Sequence, residues 1–170
     1  MIFLFISSSL LSQVTEHFNN IQSLECSFVE TLKFEAGTFD FSGSVFISRD
    51  AAKIEVERPD KQIIISRGDS VFIYIKKDDR LECALSPISL SRLIFCPVDY
   101  YYVDSIEGEW LHLSPRDSTF SYPIFVKFDK EYFPKEIRFT QEGGEGRFRF
   151  SKFELNPLLP EKFFSIDSFR

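Results

Sequence analysis

Residues 42–74 read SGSVFISRDAAKIEVERPDKQIIISRGDSVFIY, and the period of their apolar positions decides the fold. Ile54 and Val56 alternate with Lys53, Glu55 and Glu57, the pattern of a strand with one dry and one wet face. The runs 62–67 and 70–75 flank Gly68-Asp69, a two-residue connection suited to a tight hairpin. Residues 39–48 form another aromatic and β-branched run. Four consecutive antiparallel strands are therefore expected in this part of the chain. The tripeptide Arg67-Gly68-Asp69 is read as the chemistry a hairpin turn needs, not as an adhesion signal.

The same period continues in both directions. Strands are expected at 27–34, 80–85, 100–106, 110–114, 124–128, 135–140 and 147–153, the last two joined by the turn sequence EGGEG. The expected fold is mainly β with some helix (α+β). One curved antiparallel sheet of about ten strands forms a half-open barrel, lidded by an N-terminal helix and a short central helix. The N-terminal helix rests on Leu11, Val14, Phe18, Ile21 and Leu24, spaced by three and four, with Ser12 as N-cap. The central helix is expected in SPISLSRLIF (86–95), opened by Ser86 and Pro87, with Leu90, Leu93 and Ile94 on one side and Pro97 ending it.

Length and composition bound the function. The chain has 170 residues and 44% hydrophobic content, which suits one domain with a sizeable core. Phenylalanine supplies 21 residues against 6 Tyr and 1 Trp, a large apolar allotment of rigid rings. The formal net charge of −6 argues against nucleic acid and anionic membrane surfaces as partners. His17, His112, Cys26, Cys83 and Cys96 have no metal-ligand spacing, so neither a metal nor another cofactor is expected. His112 alternates with Leu111 and Leu113 and is expected to point outward. With no nucleophile and base in register, the protein is not expected to be an enzyme.

The run MIFLFISSSLL is too short to span a bilayer. It suits the apolar region of a secretory signal, although the basic flank is missing. The competing reading is a buried first turn of helix. On the export reading, residues 1–12 are a signal peptide or its remnant and 13–170 form one domain in the periplasm. Cys83 and Cys96 would then be the pair to form a disulfide.

Taken together, residues 42–74 resemble the periplasmic outer-membrane lipoprotein carrier family, LolA. The matching positions are Ser42, Gly43, Val45 or Phe46, Ile47 and Arg49; Lys53 and Glu55; Pro59 and Asp60; Gln62, Ile64 and Ser66; Gly68; and Phe72 and Tyr74. LSPISLSRLIF (85–95) is similar to the family's lid helix, LHLSPR (111–116) to a strand end, and LNPLLPEKFFSI (155–166) to its closing Phe-rich segment. Phe28-Val29-Glu30 stands where the family has Phe-x-Gln, and Asp50 replaces the proline that follows the arginine. Tryptophans typical of the family's strands are Phe or Val here.

The resemblance implies a monomeric chaperone. It would receive the acyl chains of a lipoprotein from an inner-membrane lipoprotein-releasing transporter and pass them to an outer-membrane acceptor. It also implies that Arg49 latches the lid over the empty cavity. Alternation places Ile54, Val56, Ile65, Ile137, Phe139 and Phe150 on the expected cavity wall, under a lid of Leu90, Leu93 and Ile94. Two other classes stay open: a regulatory or sensor lipid-binding domain of the same architecture, and an enzyme for a small apolar substrate.

Overall fold

The computed structural model describes residues 3–86, 89–117, 122–141, 143–160 and 162–169. Helix α1 (Phe3–Asn19) is followed by strands β1 (Ser23–Phe34), β2 (Gly37–Ser48), β3 (Ala51–Arg58), β4 (Gln62–Arg67), β5 (Ser70–Ile75) and β6 (Arg80–Leu85). Helix α2 (Leu90–Phe95) leads to β7 (Tyr101–Glu107), β8 (Trp110–Pro115), β9 (Ile124–Phe128), β10 (Pro134–Gln141) and β11 (Gly144–Leu155). The strands form one open, curved antiparallel sheet of 11 in the order β6-β5-β4-β3-β2-β1-β11-β10-β9-β8-β7. The first meander runs outward from β1, the second runs back, and the β1–β11 pairing joins them. Gly68 turns the β4–β5 hairpin at φ +60, a conformation that a side chain would strain.

The helices differ from the sequence expectation at their ends. α1 starts at Phe3, so Ser12 lies inside the helix instead of capping it. The helix ends at Asn19; Ile21 lies in the connection and Leu24 in β1, though both are buried. The apolar three-residue spacing carries on past the helix because strand and helix dip into the same core. α2 is also shorter than expected. Ser86 extends the sheet edge by donating its N–H to Asp69 O at 2.7 Å, and the helix begins at Leu90. Pro87 lies outside the described residues.

Both helices lie on one face of the sheet, and two apolar clusters hold them there. Val14 and Phe18 of α1 and Phe95 of α2 pack on Leu24, Cys26, Phe28, Val45, Ile47 and Ala52. Leu11 packs with Tyr101, Val103, Leu111, Leu113 and Val126. The other face is covered in part by the C-terminal segment: Phe163 packs on Phe46 at 4.9 Å between centroids, and Phe169 stacks on Tyr74 at 5.2 Å. Lys53 is buried beneath that segment, its ammonium 4.2 Å from the Phe163 ring centroid and 2.8 Å from Glu55 Oε1. An ion pair and a ring face together compensate its desolvation.

Candidate functional site

Register assigns every strand side chain to a face. Phe41, Glu30, Phe148, Ile137, Val126 and Leu111 form one continuous row across β2, β1, β11, β10, β9 and β8, on the helix-covered inner face. Along β1 the inner positions change character. Leu24, Cys26 and Phe28 are buried, Leu32 is half-buried, and Phe34 is 44% exposed; on β2, Phe39 is 48% exposed. The inner face thus has a closed half, filled by the helices, and an open half that begins at Glu30.

The open half is floored by rings. Phe139 lies over Gly146 so closely that a Cβ there would meet its Cζ at 2.0 Å, and Phe34 covers Gly144 in the same way. Bare backbone lets each ring lie flat on the sheet. Tyr122, Phe139, Phe148 and Phe150 form a stacked series that runs from the open half to the edge of the closed one, with successive centroids 5.6, 6.0 and 6.0 Å apart. Here the abundant phenylalanine makes a partly exposed apolar surface in addition to core.

Of the expected wall residues, Ile54, Val56, Ile137, Phe139 and Phe150 share the inner face. Val56 is in the closed core, with Ile54 and Phe150 packed against that cluster; Ile137 packs against the second cluster. Ile65 faces the other way. It pairs with Lys53 and Phe72 and is buried on the outer face, while Ile64, opposite Ile54, takes the inner position. Leu93 and Ile94 of α2 pack against the second and first clusters respectively. Leu90 starts the helix, and its side chain is outside the description.

Arg49 follows the last residue of β2. Its Nη2 donates to Phe18 O and, at 2.8 Å, to Asn19 O, carbonyls left free where α1 ends. Its guanidinium carbon lies 4.4 Å from the Phe95 ring centroid on α2. One side chain therefore ties the sheet rim to both helices, and among the described residues no ion pair joins it to Asp50.

Two inner residues lie outside the expected wall and lid. Phe95, 2% exposed, is the ring of α2 that enters the core. Glu30 lies between Phe41 and Phe148, and burial pushes its carboxyl up to about 7. The signal was present in alternation, since Glu30 follows Phe28 by two. Because the folded carboxyl keeps its proton to higher pH than the unfolded one, its penalty is absent below about pH 4.5, grows as pH rises and is complete above pH 7. Glu30→Gln is expected to match the parent in urea unfolding near pH 4. At pH 8 it should exceed the parent by about 1 to 2 kcal/mol, once the exposed part of the carboxyl is allowed for. An equal difference at both pH values would contradict this.

The three cysteines are free, so Cys83 and Cys96 are not joined. Cys83 is exposed on the edge strand β6, and Cys26 is buried, which pushes its thiol up to about 12. His112 lies on the outer face, stacked on Phe125 at 4.5 Å. Among the described residues no three His, Cys, Asp or Glu side chains come together as a metal-binding group, and no helix is long and apolar enough to cross a membrane.

No family model and no curated protein matches the chain by sequence. Solved structures do match in shape. A DUF1329 family protein from Desulfovibrio piger superimposes with a TM-score of 0.63 at 12% identity, covering 99% of each chain. A LolA superfamily protein from Nitrosomonas europaea matches at 0.57 and 14%, covering 95% of this chain and 98% of that one. The fold is LolA-like. An outer-membrane lipoprotein-sorting protein domain from Vibrio parahaemolyticus also matches, at 0.60 and 12%, over 97% and 98% of the two chains. MucB of Pseudomonas aeruginosa, solved in complex with MucA, shares the LolA-like sheet at 0.55 and 16%, with 60% of the matched chain covered. These likenesses concern shape, and the details of the LolA-like face described above are this chain's own.

Proposed function

We propose that this chain is a lipid-binding carrier that holds the acyl chains of a lipoprotein on its inner face and conveys them through the periplasm from an inner-membrane transporter to an outer-membrane acceptor. The ring-floored open half of the inner face is the observation that carries this reading. Each methylene removed from water contributes about 0.8 kcal/mol, and the open rings supply apolar surface that the helices do not cover. The LolA superfamily and lipoprotein-sorting neighbours support the cargo class. The MucA complex of a neighbour supports a second reading, a sensor domain that binds lipid and a protein partner.

An environment-sensitive acyl probe is expected to bind with micromolar or better affinity, about −8 kcal/mol. Phe139→Asp, on the inner face, should weaken binding at least tenfold, about 1.4 kcal/mol, with the fold monitored by circular dichroism. Glu55→Asp, on the outer face, should change it little. Equal effects at the two positions would refute a binding face there. Mass spectrometry of lipids co-purified from periplasm should find acylated cargo, and a reconstituted transfer assay separates carrier from sensor.

A further inference from the structure

Glu30 is an anomaly on an apolar floor. Across β2, β1, β11 and β10 no other acidic residue shares its face: its neighbours on β1 are Phe28 and Leu32, and its cross-strand partners are Phe41 and Phe148. The diagonal positions on the same face, Phe39 and Gly43 of β2 and Gly146 and Phe150 of β11, are also uncharged. Among the described residues no ion pair joins Glu30 to a cation, burial alone shifts its carboxyl, and it stands where the closed half meets the open half. An acyl chain lying along the rings of the open half would end beside it. A carboxylate flanked by two phenyl rings offers an ammonium a charge-assisted hydrogen bond and two ring faces, while it repels a fatty-acid carboxylate.

We propose that Glu30 makes this face select cargo that carries a free, protonated amine next to its acyl chains, such as a lipoprotein whose lipidated N-terminal residue bears two chains and an unblocked α-amine. An N-acylated terminus has exchanged that ammonium for a neutral amide, which gives up the charge and leaves Glu30 without a counter-ion. The inference rests on the acyl-binding reading above and adds the head-group chemistry to it. The burial that raises the Glu30 carboxyl to about 7 is in keeping with a group that an incoming ammonium would draw into its ionised form.

The test uses one synthetic diacylated lipopeptide in two forms, with its α-amine free or blocked by a single acetyl group, displacing an acyl probe from the whole protein at pH 7.5. The acetyl group leaves the chain number unchanged, so apolar burial is nearly equal in the two. Acetylation is expected to weaken binding to the parent about tenfold or more, the size of a lost charge-assisted contact. In Glu30→Gln it should have an effect within about twofold, set by ordinary neutral hydrogen bonding. Equal sensitivity to acetylation in parent and variant, with both forms bound, overturns the role of Glu30 and leaves acyl binding standing. If neither form binds the parent, both readings are overturned. Glu30→Leu serves as a second variant: it too should bind both forms alike, and a retained amine preference there would count against the proposal.

Discussion

Phe18→Ala is expected to lower the free energy of unfolding by about 3 to 5 kcal/mol, a large share of the ~5 to 15 kcal/mol available to a domain. Phe18 is 1% exposed and meets Phe95 and Phe133 edge-on, with centroids 5.9 and 5.7 Å apart. Truncation would leave a cavity between α1, α2 and the 129–133 turn, and neither ring could follow without leaving its own helix or turn. Urea unfolding measures the loss. Leu158→Ala, at a fully exposed position, is the control and should stay within about 0.5 kcal/mol of the parent. A Phe18→Ala effect no larger than that would mean that α1 is not docked on the sheet.

Arg49→Leu is the second. Its bonds to the Phe18 and Asn19 carbonyls are of the kind worth ~1.5 to 3 kcal/mol. If cargo entry moves α1 aside, that amount biases closed against open by roughly 10- to 150-fold. The expected result is tighter retention of acylated cargo and transfer to the acceptor slowed by a factor in that range, alongside a loss of stability in urea of at most ~1.5 to 3 kcal/mol. A purely structural Arg49 would behave differently: transfer would be unchanged and the loss would appear in stability alone.

The fold was readable because residues 42–74 alternate cleanly where one face is wet: Lys53, Glu55 and Glu57 set the phase of β3. The phase is lost in β4, where Ile63, Ile64 and Ile65 are apolar without a break. The structure shows why, since Ile64 packs on the helix-side core and Ile65, on the other face beside Lys53 and the C-terminal segment, is buried as well. A strand covered on both sides does not reveal its register, which is why alternation puts Ile65 on the inner face when it lies on the outer one. At α1 the obstacle was different. Ser12 has the chemistry of a cap, but an apolar run precedes it and the helix simply starts earlier. At the site, Arg49 owes its bonds to a helix end 30 residues upstream, which its strand-end position hinted at. The meeting of Phe139 with Gly146 depends on cross-strand register and had no local signature.

The strand order also shapes how the chain reaches this structure. Nine of the ten strand pairings in that order join chain neighbours, and only β1–β11 joins segments more than 100 residues apart, as in Phe34↔Gly144 and Leu24↔Leu155. Hairpins close on microsecond scales, whereas the seam must first offset the entropy of a very long loop, a term that grows only as the logarithm of length. Two meanders can therefore take shape separately and zip together late, so the row holding Phe41, Glu30 and Phe148 comes into being only with the final closure.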